Sequence, residues 1–429
     1  MQNGVVAVMA LLIAVALPLA HAQNALAIPA FSRQYRTECS TCHTLYPELN
    51  EYGQVFLKNG YVYANKHAGE KGGEAPVPSG KPGQGQTQTA SDEQVAGLML
   101  SGIPKWIPLS LTLNQSANYS DPAPNGDHWG FTTRDLVLEG GGVISDVVGF
   151  YATYDLYRHD SSISQGGPSS LHELFLIWRR FFGTPVNIKV GKFEPKLSLW
   201  KKSDKIIVTS FATSSFQEGN SPFSLETAQD AVEANAVVAN RIFMATGVVD
   251  RHGLPGVDAY GHLSVKFGGV DFLGNEPEVD FEKESIWDYL AMTLAVYGYN
   301  GRNIDPFGSG ISNSFYRIGG EFDILYKRAR VKFSCVSGED SNPYYIFPET
   351  AGNPLVFASE AEYYFGSPVK VVGLFRYEYQ NDGTALVRRF IPALAYIPLE
   401  NIKVAFSYIH EVQPLDINRQ LLLDVSLSF

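Results

Sequence analysis

From about residue 106 to its end the chain alternates apolar and polar side chains in segment after segment, and this pattern limits the fold more than any other feature. Residues 314–326 set Tyr316, Ile318, Phe322, Ile324 and Tyr326 on one face, with Arg317, Glu321 and Asp323 on the other. Residues 369–380 set Val369, Val371, Phe375, Tyr377 and Tyr379 against Lys370, Arg376, Glu378 and Gln380. Residues 419–429 set Leu421, Leu423, Val425, Leu427 and Phe429 against Gln420, Asp424, Ser426 and Ser428. Successive side chains leave a strand on opposite sides, so period two with one apolar face marks β-strands. Charges recur on the polar faces and aromatic rings stand near the ends of the apolar ones. That combination fits lipid outside and water inside better than a soluble sandwich.

The pattern predicts an all-β transmembrane barrel of about 16 antiparallel strands. They fall near 106–120, 130–144, 147–158, 169–181, 185–193, 228–238, 241–250 and 257–267, then 286–300, 313–326, 328–339, 354–366, 368–380, 384–398, 401–412 and 418–429. Connections are tight at Ser145-Asp146, Ala239-Asn240, Lys327, Ser367 and Leu399-Glu400. They are longer at 121–129, 159–168, 194–227, 300–312 and 339–353, an asymmetry of short periplasmic turns and long extracellular loops. Residues 268–285 break the rule, being long on the short-turn side. The terminal Phe429 resembles the C-terminal signature of bacterial outer-membrane proteins. Beyond the N-terminus no apolar run reaches about 18 residues, so no helix is expected to span a membrane. A composition of 23 Tyr, 26 Phe and 40 Gly beside 3 Cys and 5 Met suits one large antiparallel structure. A net charge of −11 argues against a nucleic-acid partner.

The N-terminal quarter is different. Residues 5–19 are apolar and lead to Ala20-His21-Ala22, which predicts a signal peptide over 1–22, although no Lys or Arg precedes the run. Then comes Cys39-Ser40-Thr41-Cys42-His43. Two thiols at this spacing match the two vinyl groups of one haem, and the adjacent imidazole falls under the iron. Structural zinc would need further ligands at close spacing, but the third cysteine is Cys335 and the next histidine His67. A thioredoxin-type pair would want a βαβ setting, and a Cys39–Cys42 disulfide would leave His43 unexplained. Covalent haem c is therefore the expected cofactor. A small helical unit over 23–67 is expected to hold it, with Pro47 opening a helix, Gly60 ending it, and Leu49, Tyr52 and Phe56 on one face. Phe31, Tyr35, Leu45 and Tyr61 are candidate walls for the haem. The sixth ligand lies open between Met99 and His67, with a lumenal His172 or His410 as a third choice. Residues 68–95, rich in Gly, Pro and Gln, form a flexible linker, and 96–429 the barrel.

A signal peptide, one Cys-x-x-Cys-His unit followed by Pro47, Leu49, Asn50, Gly53, Phe56 and Asn59-Gly60-Tyr61, and a porin-like barrel resemble the outer-membrane monohaem cytochrome–porin fusions. The best-known members of that family are ferrous-iron oxidases of iron-oxidising bacteria. The resemblance covers the architecture of the whole chain but specific motifs only over residues 29–61. It implies haem c on Cys39 and Cys42, His43 as proximal ligand, and electron uptake from extracellular Fe(II) or another donor. A periplasmic c-type cytochrome would be the acceptor. Such a fusion has a physical reason: donors cannot pass electrons across ~30 Å of hydrocarbon, whereas a barrel of this size leaves an aqueous lumen that a haem unit can plug. Two other readings stand beside it: a diffusion porin with a structural or sensory haem, and export of electrons to an outside acceptor. By strand parity Cys335 faces lipid with Val331 and Phe333. Arg328, Arg330, Lys332, Lys370, Arg376, Glu321, Glu360 and Glu362 are expected to line the lumen, where their mixed charges solvate the pore or clamp a plug. Asp121, Asp127, Glu339 and Asp340 are candidates for drawing cations to the outer mouth, or ordinary solvated loop residues.

Overall fold

Period-two alternation becomes sixteen antiparallel strands closed into one barrel. The computed structural model describes residue 31, residues 39–45 and 47–61, and residues 109–428 apart from short gaps at 124–125, 146, 161–164, 168, 202–203, 252–255, 278–284, 306–307, 367–368 and 382–385. The signal peptide, the linker, Tyr35, His67, Met99 and Phe429 lie outside the described residues. In chain order the strands are β1 Leu109–Asp121, β2 Trp129–Ser145, β3 Val148–Asp160, β4 Ser170–Trp178, β5 Val186–Phe193, β6 Gln229–Val238, β7 Ile242–Asp250 and β8 Asp258–Gly268. The ring continues with β9 Leu290–Ile304, β10 Ser312–Tyr326, β11 Ala329–Asp340, β12 Leu355–Gly366, β13 Val369–Asn381, β14 Leu386–Leu399, β15 Ile402–Val412 and β16 Ile417–Ser428. A short piece, Gln165–Gly167, pairs beside β4 on the far end of β3. Pairing of β16 with β1, from Arg419↔Asp121 to Ser428↔Thr112, closes the ring and leaves no open edge.

Alternation sorts the side chains as expected. Val296, Ile318, Phe375 and Leu394 point out and are exposed, while Arg317, Lys332, Glu360 and Arg376 point in and are at most 2% exposed. Cys335, half-buried, shares the outward parity of Val331 and Phe333. Inward charges are buried because the lumen is filled, by two elements.

The first filler is the β5–β6 connection, expected as an external loop. Instead it turns inward and buries Leu197, Trp200, Ile206, Ile207 and Phe211. Wall carboxylates take its backbone amides: Leu199 N–H donates to Glu321 Oε2 (2.6 Å), and Ala212 N–H donates to Glu378 Oε1 (3.1 Å). Wall side chains also reach it. Arg376 Nη1 donates to Thr209 O (2.8 Å), and His262 Nδ1 meets Leu197 O (2.6 Å). Its apolar side chains had no lipid-facing position to take, and they pack instead on small and apolar inward residues of the wall such as Ala295, Ala358 and Val372.

The second filler is the N-terminal segment 39–61 with its helix α1, Glu51–Lys58. It touches β3 and β4 on one side of the ring through Tyr151 and Phe175, and β11 and β12 on the other through Arg330, Lys332 and Tyr364. Contacts with opposite walls place it inside the cylinder. All these wall residues lie toward the short-turn end. The long excursion after β8, unexplained by strand arithmetic, docks α1 there. Val270 N–H donates to Glu51 Oε1 (3.1 Å), Phe272 O accepts from Asn59 Nδ2 (2.9 Å), and Glu276 accepts from the Tyr52 hydroxyl. Glu51 also pairs with Lys266 of β8 at 2.7 Å.

Candidate functional site

The Cys-x-x-Cys-His stretch folds as a single tight turn. Cys39–Thr41 is one turn of 3₁₀ helix, closed by Cys42 N–H donating to Cys39 O at 3.1 Å. His43–Leu45 then pairs with Glu48–Leu49 as two short antiparallel strands, returning the chain beneath the histidine.

That return fixes the imidazole. His43 Nδ1 lies 3.0 Å from Pro47 O. A carbonyl only accepts, so Nδ1 carries the hydrogen and Nε2 holds the lone pair. Burial lowers the His43 pKa, opposed by the carbonyls of Pro47 and Glu48 and by the Glu48 charge, so the ring is neutral near pH 7. A neutral ring with Nδ1–H held by a carbonyl is the form that binds a metal through Nε2.

Pro47 was expected at the first helical position. Asn50 takes over the helix start instead, because its side chain caps better. Asn50 Oδ1 accepts from Gly53 N–H (2.9 Å), while Nδ2 donates to Ser40 O and Thr41 O (3.1 Å each). With Asn50 N–H on Cys42 O (2.9 Å), one residue ties the cysteine turn to α1. A Cβ at Gly53 would stand 2.1 Å from Cys42 O, so only glycine lets helix and turn meet. Gly60, at φ +71°, ends the helix as expected.

Cys39 is buried and its N–H donates to Glu400 Oε2 (3.2 Å) in the β14–β15 turn, whereas Cys42 is half-buried. The aromatic residues expected to wall a haem do other work. Phe31 stacks on Tyr61 (5.2 Å, 6°) and Tyr61 on Tyr151 of β3 (4.9 Å, 8°), with Phe56 edge-on to both Phe31 and Tyr61. These rings seat the segment on the wall. Leu45 packs in a separate group with Ile206, Ile207 and Tyr364.

Two candidate sixth ligands fall away from the turn. His410 points outward beside Tyr408 and Phe390, since Lys403, Ala405, Ser407 and Ile409 take the inward positions of β15. His172 stands at the long-loop end of β4, 3.8 Å from Glu194, at the end of the barrel opposite the cysteine turn. Among the described residues no three His, Cys, Asp or Glu side chains form a metal-ligand group. Of the acids considered for the outer mouth, Asp340 is fully buried against Arg317 (2.6 Å), Asp121 pairs with Arg419 (3.4 Å), and Asp127 is exposed.

Sequence reasoning missed Glu48. It is fully buried, with Oε1 2.6 Å from Arg330 Nη1 and bonded to Lys332 Nζ, and Oε2 3.0 Å from the Tyr364 hydroxyl. Asp204 of the inserted loop was missed too; it accepts from Leu49 N–H (2.5 Å) and Gln54 Nε2 (2.7 Å). The available signal was the inward parity of Arg330 and Lys332, which asked for a counter-charge.

The fold is similar to solved barrels. An anion-selective porin from Comamonas acidovorans is 9% identical, with 75% of this chain and 99% of that one covered at a TM-score of 0.53. OmpF of Salmonella typhi, in complex with daunomycin, is 10% identical over 75% and 97%, with a TM-score of 0.51. Outer-membrane-expressed OmpT of Vibrio cholerae is 8% identical over 75% and 97%, with a TM-score of 0.50. At such identities the likeness is one of fold alone. No protein-family model and no curated protein matches the chain.

Proposed function

We propose that this chain is an outer-membrane barrel that moves electrons between the cell exterior and the periplasm through one haem c. Cys39 and Cys42 would hold the haem covalently, and His43 would be its proximal ligand. The observation that carries this reading is the position of the Cys39–His43 turn. It lies inside the short-turn mouth of the lumen, with the imidazole already fixed in its metal-binding tautomer by Pro47 O. The donor set suits the group: two thiols one turn apart, and a neutral imidazole whose Nδ1–H is engaged. When bound, the haem would supply one-electron chemistry, so no acid or base is required of the chain.

The chain's own residues bind and orient. Asn50 and Gly53 lock the cysteine turn on α1, Glu400 holds the Cys39 amide, and the two fillers narrow the lumen. A lumen so filled favours passage of electrons over passage of solutes. Extracellular Fe(II) as donor and a periplasmic c-type cytochrome as acceptor rest on the resemblance to the cytochrome–porin fusions. The outward apolar belt, with Ile318, Val296 and Leu394 exposed, supports an outer-membrane site.

Anaerobic spectra of the purified protein before and after Fe(II) test the proposal. Haem absorbance that survives denaturant and disappears in Cys39→Ala/Cys42→Ala is expected, with the reduced spectrum forming on addition of Fe(II). Absence of haem absorbance overturns the reading, and absence of reduction removes only the donor. A strongly negative midpoint potential would reverse the direction, toward export. The second reading, a diffusion porin with a structural or sensory haem, is favoured by likeness to an anion-selective porin. Liposome swelling separates the two, since an open pore admits sugars and a plugged one does not.

A further inference from the structure

We propose that Glu48 is a positioning residue for His43, and that Arg330, Lys332 and Tyr364 of the wall form the socket that holds it. On this view the imidazole takes its working orientation only while the segment is seated in the lumen. The inference rests on the reading of His43 as a haem ligand.

Arg330 gives Nε and Nη2 to Asp323 at 2.8 and 2.6 Å, which leaves Nη1 for Glu48 at 2.6 Å. Lys332 has three protons and three carboxylates to receive them: Glu48, Glu362 (2.6 Å) and Glu360 (3.2 Å). Glu360 is held from behind by Arg376, at 2.8 Å from Nε and 2.7 Å from Nη2. The socket is therefore rigid without the segment, and one buried N–H on each cation is aimed at the carboxylate that the segment brings. Neutralising Glu48 in the seated segment would leave both donors buried without their anion, a state that burial makes costly.

The link to His43 is one residue long. Pro47, whose carbonyl holds Nδ1–H, directly precedes Glu48, and Leu49, whose N–H is taken by Asp204, directly follows it. His43 and Leu49 are also strand partners. Wall and inserted loop thus grip the two residues after Pro47 and so set where its carbonyl stands. Loss of that grip would loosen the Nδ1–H···O=C contact, weaken the imidazole as a donor to iron, and raise the haem potential.

The test uses the full-length, haem-loaded protein with Glu48→Gln and Lys332→Met, singly and together. Midpoint potential is measured by redox titration and seating by sugar entry into liposomes. Removing one partner of a buried pair is expected to shift the seating equilibrium on the order of a hundredfold. Glu48→Gln should therefore raise the potential and admit sugars. Lys332→Met should do the same, and the double variant less than the sum of the two, because they share the Glu48–Lys332 contact. Lys332→Met keeps the test decisive if Glu48→Gln does not assemble. Haem-loaded variants that keep the wild-type potential overturn the proposal, whether or not sugars enter, because Glu48 would then serve seating at most. A protein without haem would instead sink the reading of His43, and the spectrum reports that separately.

Discussion

Two elements fill this lumen, and they are held in opposite ways. The β5–β6 loop is covalently joined to the wall at both ends, and much of its hold is wall side chains on its backbone, such as Glu321 on Leu199 N–H and Arg376 on Thr209 O. Among the described residues, segment 39–61 has such backbone holds too, at Cys39 and Leu49, but adds many charges and rings of its own: Glu48 to Arg330 and Lys332, Glu51 to Lys266, Tyr61 to Tyr151. A loop closed at both ends stays near its place when one contact goes, because its closure entropy is already spent. A segment held by a few side-chain contacts depends on each of them. One filler is therefore part of the wall, and the other is cargo docked against it.

The sharpest way to break this contrast is Glu48→Lys, which sets a third cation beside Arg330 and Lys332. It should undock the segment, costing more than the ~3–5 kcal/mol of an orphaned buried pair, and sugar permeability should rise steeply. Arg376→Met removes a comparable buried partner from the inserted loop and leaves Glu360 only Lys332. Thermal or denaturant unfolding should show a loss of about 3 kcal/mol while permeability stays low, since the loop has nowhere to go. Equal permeability in the two variants would erase the distinction. Gly53→Ala drives a methyl into Cys42 O and should cost about 2 kcal/mol or more of seating. Reduced haem incorporation in cells would report it.

The smallest effect expected is pH dependence through Asp204. Burial, with the charge of Glu48 beside it, pushes its carboxyl up to about 6 from 3.8. When seated, this group keeps its proton to higher pH than it would in water. Its contribution to seating is therefore complete below about pH 4 and is lost as pH rises through about 6; the shift caps it at about 3 kcal/mol, of which only the part owed to the segment's cover is lost on unseating. Sugar entry should be slower at pH 5 than at pH 8, and Asp204→Asn should remove that difference.

Much of this was legible along the chain, and for local reasons. Alternation gave strand positions to within a few residues, because one face met lipid and the other did not. Parity alone put Cys335 outside and Arg330, Lys332 and Glu360 inside. His410 defeated the parity reading for want of an inward neighbour considered with it: Lys403, Ser407 and Ile409 hold the inward positions. Pro47 misled because a proline can open a helix, yet Asn50 could do so and also bind Ser40 O and Thr41 O. Residues 194–227 looked like any long loop, since nothing in their order says which side of a wall they will take.

The sequence by itself determined a wall of about sixteen strands, its inner and outer faces, and a Cys-x-x-Cys-His stretch at its N-terminal side, because each follows from side-chain period or from spacing within a few residues. Only the tertiary structure decided that the turn sits inside the wall, that a loop joins it there, and that Glu48 completes two cations nearly three hundred residues away. Those facts depend on which buried donors lack a partner once the ring is closed, and no local pattern carries that information.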